Sequence, residues 1–124
     1  MRSLNKQKIL IFGASGFLGS HLLNRLPHAS AADVDITDQS AVFDLIKRGW
    51  DMIVNLAGIS GTAANQSQAG FEVNVIGSLN ILEASRRLKH QPVVLFSNSR
   101  QEYGKPQYLP VNETHSTNPT NLYG

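Results

Sequence analysis

The chain has 124 residues, a formal net charge of +2 and no cysteine; this length suits one hydrophobic core, and the absence of thiols excludes disulfide scaffolds, thiolate zinc sites and cysteine nucleophiles. With 41% hydrophobic and 16% charged residues, the composition is that of a globular domain, neither disordered nor fibrous. The small positive excess is too slight to imply nucleic acid or a membrane as partner.

Met1 to Lys6 leads into a strand without a cleavable apolar region, and no run approaches the roughly 20 apolar residues of a membrane-spanning helix, so a cytoplasmic protein is the expectation. Lys8 to Phe12 is a short β-branched apolar run ending at a glycine, and Gly19 to Leu26 shows helical spacing until Pro27 stops it. Ala29 to Val34 reads as a brief second strand and Val34-Asp35-Ile36 as a third, before Thr37 or Asp38 caps a helix over Gln39 to Arg48. Asp51 to Leu56 reads as a buried strand, and Val93 to Phe96 as another. Between them Gly70 to His90 has the spacing of a long helix, with Phe71, Val75, Leu79 and Leu82 near one face. Its basic end, Arg86, Arg87, Lys89 and His90, is read as a solvated face complementing the helix dipole, not as a nucleic-acid site. From Asn98 onward the chain is loop-like, with Gly104, Pro106, Pro110 and Pro119. His21, His28, His90 and His115 show no ligand spacing, so no metal is expected.

Strands and helices alternating in this way imply an α/β fold: a Rossmann-type doubly wound parallel sheet of about five strands in three α/β/α layers, with strand order 3-2-1-4-5. Ligands of such a sheet sit at the carboxyl ends of its strands, beside the switch point. The glycine triplet Gly13, Gly16 and Gly19 falls between the first strand and the first helix, the context that gives this spacing a mechanism. Gly13 permits the turn, Gly16 lets the backbone approach a pyrophosphate, and Gly19 packs helix on strand; the amides opening the helix, over Ser15, Phe17 and Leu18, then meet the phosphate charge. The competing reading is a strand-to-helix turn without ligand. An adenine ribose needs an acceptor near the end of the second strand, and Asp33 is the nearest, although it lies closer to the glycine loop than the usual roughly twenty residues and serves equally as a turn residue. No basic residue follows it closely enough to invite a 2′-phosphate, which favours NAD, with NADP not excluded.

Gly13-Ala14-Ser15-Gly16-Phe17-Leu18-Gly19 resembles the signature of the extended short-chain dehydrogenase/reductases, in particular the NAD-dependent epimerase/dehydratase family acting on nucleotide sugars. Further matches follow in order along the chain. Asp35-Ile36-Thr37-Asp38 resembles the segment that passes the adenine, with helix capping as the alternative, and Asn55-Leu56-Ala57-Gly58-Ile59-Ser60 resembles the loop after the family's fourth strand. Asn74-Val75-Ile76-Gly77-Ser78 resembles the asparagine motif of the next helix, Phe96-Ser97-Asn98-Ser99 the strand ending in the catalytic hydroxyl, and Asn118-Pro119 to Tyr123-Gly124 the approach to the catalytic tyrosine.

The resemblance implies that Leu56, Ala57, Gly58 and Asn74 line the cofactor site and that Tyr123 and Ser99 are the catalytic pair. Tyr123 exchanges the proton of a sugar hydroxyl and Ser99 hydrogen-bonds the same oxygen, against the alternative of two exposed loop hydroxyls. Tyr103 belongs to the family's Tyr-Gly motif instead. A phenol titrates near about 10 and is a poor base at neutral pH without help. The family's lysine, one helical turn after the tyrosine, lies beyond Gly124. Residues 1–124 are therefore read as one incomplete NAD(P)-binding domain, cut before the last strands and the substrate domain and inactive on its own. Dehydratase relatives carry an acid pair just after the catalytic hydroxyl, where this chain has Arg100 and Gln101. An epimerase or a reductase is thereby favoured, including one like the dehydrorhamnose reductases, over a dehydratase; a non-catalytic dinucleotide-binding regulator or partner subunit is the rival reading. The expected partner is a nucleotide-sugar substrate, and a homodimer is left open.

Overall fold

A computed structural model of the chain describes residues 6–124; Met1 to Asn5, and the expectation about a leader placed on them, lie outside the described residues. Four parallel strands form one sheet: β1 (Ile9–Phe12), β2 (Ser30–Ala31), β3 (Met52–Asn55) and β4 (Val93–Phe96), in the order β2-β1-β3-β4. Parallel neighbours require crossovers, supplied by α1 (Phe17–Arg25), α2 (Gln39–Ile46) and a long helical stretch before β4. That stretch is preceded by the short α3 (Gly61–Gln66) and consists of α4 (Gln68–Phe71), a π-helical segment (Glu72–Gly77) and α5 (Ser78–Arg86).

Side chains alternate across β1, which separates the core into two halves. Leu10 and Phe12 pack with Ile53, with Val42 and Ile46 of α2 and with Ile81 and Ala84 of α5, whereas Ile9 and Ile11 face the other way with Val54, against Leu22 and Leu23 of α1. Helices thus cover both faces of the sheet, and the expected three-layer, doubly wound Rossmann-type fold is present.

The sheet departs from the sequence reading in one place: it has four strands, not about five, because Val34-Asp35-Ile36 is not a strand. β2 is only two residues long and offers too short an edge to template a further strand. Asp35 instead closes a turn on Thr37, whose N–H and hydroxyl both donate to Asp35 Oδ1 at 2.8 Å. Asp38 then caps α2, its carboxylate accepting from the Ala41 N–H at 3.0 Å. The helix read over Gly70 to His90 is also modified. It carries the π-helical segment, and its apolar stripe of Phe71, Val75, Leu79 and Leu82 is exposed, while Gly70, Gly77, Asn80, Ile81, Ala84 and Ser85 are the buried positions. Among the described residues no helix is long and apolar enough to cross a membrane.

Candidate functional site

β1 ends at Gly13, whose φ of +72° belongs to the left-handed region and where a Cβ would stand 2.5 Å from the Ala57 nitrogen. A Cβ on Gly19 would stand 2.1 Å from the Gly13 carbonyl oxygen. These two glycines are demanded by the fold itself, which presses the β1–α1 turn onto its own helix and onto the loop after β3. Gly16 differs. Its backbone, at φ −73° and ψ 175°, suits any residue, and the nearest atom to an added Cβ is the Gly13 oxygen at 3.2 Å. Gly16 is the N-cap of α1 and has no side chain to accept from the amides of the first turn, a helix end that favours an anion. Phe17 and Leu18 stand beside it, 79% and 58% exposed.

Two cavities open at the carboxyl ends of the strands and share Ala57 as a wall. One, of about 680 Å³, is bordered by Gly13, Ser15, Asp33, Asp35 and Ile36. The other, of about 490 Å³, is bordered by Leu56, Gly58, Asn74, Ser99 and Tyr123. The structure thus distributes the residues singled out in the sequence over two adjoining spaces beside the glycine turn, at the switch point between β1 and β3.

In the first space Asp33 and Asp35 are exposed and Ile36 is buried. The Thr37 N–H, and after it the Thr37 hydroxyl, hold the Asp35 carboxyl below its ordinary value. In the second space asparagines fix the walls. Asn55, at the end of β3, accepts from the Ala57 N–H at 3.0 Å and donates to Ser78 Oγ at 3.4 Å. Asn74, on the π-helical segment, accepts from the Ile59 N–H and donates to the Ile59 carbonyl, both at 2.8 Å. Its amide is therefore committed to shaping the loop that borders the cavity.

Ser99 Oγ accepts from the Gln101 N–H at 3.2 Å, which leaves its hydroxyl proton to be donated. The segment bearing Tyr123 is tied down on two sides. The Tyr123 N–H donates to Asn65 Oδ1 at 2.7 Å, and Asn121 joins it to Gln101 by donating to Gln101 Oε1 at 2.8 Å while accepting from the Gly124 N–H at 2.9 Å. Glu102 accepts from the Asn98 amide. Burial, with the neighbouring Glu102 carboxylate, pushes the Tyr103 phenol up from its ordinary value. No residue lining the Ser99 and Tyr123 cavity carries a charge. Among the described residues no group of three or more histidines and acids could hold a metal ion.

Reading by sequence missed Asn55, Asn65, Asn80 and the Gln101–Asn121 pair. The available signal was polar residues at otherwise apolar or small positions of a strand or helix, above all Asn80 between Leu79 and Ile81.

A parallel sheet with a glycine turn opening its first helix, and a double cavity at its switch point, defines a dinucleotide-binding α/β domain. Residues 9–124 match the NAD dependent epimerase/dehydratase family, and the chain belongs to that family. A putative UDP-glucose 4-epimerase of Methanocaldococcus jannaschii is 28% identical over 94% of this chain and 46% of its own length. Among solved structures, UDP-glucose 4-epimerase from Brucella ovis in complex with NAD superposes with a TM-score of 0.82 at 25% identity, covering 94% of this chain and 43% of that one. RMD from Pseudomonas aeruginosa complexed with NADPH gives a TM-score of 0.80 at 25% identity, over 95% of this chain and 44% of that one. The chain spans less than half the length of these proteins.

Proposed function

We propose that this chain is the NAD(H)-binding part of a nucleotide-sugar epimerase or reductase. The observation that carries the reading is the pair of cavities meeting at Ala57 beside Gly16, whose ordinary backbone conformation does not itself call for glycine. Gly13 to Gly19 and the open amides of α1 would hold the pyrophosphate. Asp33, Asp35 and Ile36 would hold the adenosine, and Leu56, Ala57, Gly58 and the loop shaped by Asn74 the nicotinamide end. Asp33 has no hydrogen-bond partner among the described residues, so its carboxylate is available to ribose hydroxyls and would repel a 2′-phosphate. That supports NAD over NADP.

When bound, the cofactor would supply hydride transfer at a sugar carbon, taken and returned in an epimerase and given once by the reduced form in a reductase. Tyr123 exchanges the proton of the hydroxyl on that carbon, and Ser99 donates its free proton to the same oxygen, stabilising charge that develops there. Tyr103 does not line the cavity that Ser99 and Tyr123 share, and burial pushes its phenol up, both of which favour Tyr123 as the exchanging group. Gln101 stands where the dehydratases carry an acid, and its side-chain oxygen is engaged by Asn121, which supports epimerase or reductase chemistry over elimination. The lack of a charged residue in the Ser99 and Tyr123 cavity favours, as a second reading, a dinucleotide-binding partner without chemistry.

Calorimetric titration with NAD tests the reading, with Gly16→Ala and Gly16→Asp as the variants. Both should fold, the 3.2 Å approach of a Cβ to the Gly13 oxygen costing less than the contacts at Gly13 and Gly19, and both should lose NAD affinity, Gly16→Asp entirely, because it places a charge against the phosphates. Undiminished binding by Gly16→Asp would overturn the assignment, and tighter binding of NADP than of NAD would overturn the role of Asp33.

A further inference from the structure

Asn80 is buried on α5, 4% exposed, at a helix position where its neighbours in the core are Ile81 and Ala84. A buried amide is costly unless its hydrogen bonds are made. Those of Asn80 are made to the segment that leaves β2: Nδ2 donates to the Ile36 carbonyl at 3.0 Å and to the Thr37 carbonyl at 3.4 Å, while Oδ1 accepts from Gln39 Nε2 at 3.5 Å. That segment has no strand ladder of its own. The last β-type bond before it runs from the Ala32 N–H to the Ile11 carbonyl. The peptide unit joining Ile36 to Thr37 is instead gripped at both ends, its carbonyl by Asn80 and its N–H by Asp35 Oδ1. One turn earlier on the same helical face stands Gly77, where a Cβ would come within 2.8 Å of Ile36 Cγ2. Gly77 lets the Ile36 side chain seat against the helix, and Asn80 fixes the backbone that follows it.

We infer that Asn80, together with Gly77, is a positioning residue for adenine recognition. By holding the Ile36–Thr37 peptide it aims the Asp35 carboxylate, whose Oδ1 is spent on Thr37 and whose Oδ2 is left for the amino group of the base. It also sets the Ile36 N–H, which has no acceptor among the described residues, against the adjacent ring nitrogen. The inference rests on the reading of Asp35 and Ile36 as the adenine segment. Adenine offers that edge a donor and an acceptor in the order the segment can pair. Hypoxanthine reverses both, setting an oxygen against the carboxylate and an N–H against an N–H.

The experiment is titration of the protein with NAD and with nicotinamide hypoxanthine dinucleotide. The native protein is expected to prefer NAD by about tenfold or more, the worth of one charge-assisted hydrogen bond. In Asn80→Leu the preference should fall to about twofold or less, with affinity for the hypoxanthine dinucleotide little changed. In Asn80→Asp the preference should be lost at neutral pH and return as the pH is lowered, because a protonated carboxyl regains the donor, whereas Asn80→Leu should show no such return. If Asn80→Leu does not fold, Gly77→Ala makes the same test by displacing Ile36. A native protein that does not discriminate would overturn the adenine reading and this inference with it. A native protein that discriminates, beside Asn80→Asp at neutral pH and Gly77→Ala that do so equally well, would overturn the role of Asn80 alone.

Discussion

The glycines of the β1–α1 turn are alike in sequence and unlike in what requires them. Gly13 combines a left-handed backbone with a backbone contact of 2.5 Å for any added Cβ, so Gly13→Ala is expected to cost about 2 kcal/mol or more through strain and overpacking, read as a lowered midpoint in urea. Gly16→Ala should cost little in stability and much in NAD affinity. The spacing of the three was legible because each sits at a fixed place between an apolar run and a helical pattern. Asn80 gave only the signal of a polar residue between Leu79 and Ile81, and that signal does not tell an asparagine that holds two carbonyls from one that faces water. The turn at Asp35 leads to a pH prediction. Hydrogen bonds from Thr37, its N–H first, hold the carboxyl below its ordinary value. A group depressed in the folded state contributes stability above its unfolded pKa and loses it as the pH falls through the lower folded value. NAD affinity that depends on an ionised Asp35 should therefore hold from neutral pH through the ordinary carboxylate range and decline only below it. In Thr37→Val, which keeps the N–H and removes the hydroxyl, the decline should begin at higher pH; NMR titration of the Asp35 carboxyl alongside NAD binding checks both.

At the scale of elements, β1, β3 and β4 fall inside the predicted runs because continuous β-branched apolar segments of that length have few other uses in a parallel sheet. The Val34 to Ile36 segment shares that composition and does something else. Its apolar Ile36 is spent against Gly77 and its Asp35 on a turn, so pairing partners decided where propensity did not. The helix before β4 shows a related ambiguity. Phe71, Val75, Leu79 and Leu82 have the right period but lie outward, because the inward face packs Ile81 into the core and elsewhere comes so close to α3 and to Ile36 that it takes glycine: a Cβ on Gly70 would stand 2.6 Å from the Ala64 backbone. Periodicity identifies a stripe without saying which stripe meets the core. The basic end of α5 is largely internal in its pairing, since Arg86 and then Arg87 hydrogen-bond Glu83 and pull its carboxyl down to about 2. The cap of α2 gives a direct stability test. Asp38 accepts from the Ala41 N–H, and Asp38→Ala should cost about 1 kcal/mol, seen as a melting temperature lower by a few degrees. Asp38→Ser should restore most of it.

On the scale of the whole molecule, the chain assembles the glycine turn, both cavities and the two hydroxyls, yet it spans less than half the length of its relatives. Exposed Val93 and Leu95 of β4, and the outward stripe of the long helix, mark apolar surface that the described residues leave bare. A phenol acts as a base near neutral pH only when a neighbouring cation favours the phenolate. The cavity that holds Ser99 and Tyr123 is lined by asparagines, serines, glycines and apolar residues, with no charged side chain among them. The described lining thus offers Tyr123 no cationic side chain. Hydride transfer also requires the sugar carbon to be held at the nicotinamide, and that orientation draws on binding energy from the nucleotide of the substrate. We therefore expect the 124-residue chain to bind NAD and to turn over nothing. Incubation with NAD and a panel of UDP-, dTDP-, CDP- and GDP-sugars, following reduced nicotinamide by absorbance and epimers by chromatography, checks this. Turnover that vanishes in Tyr123→Phe would show that Tyr123 finds its cation elsewhere, and that the uncharged cavity is no obstacle to the reaction.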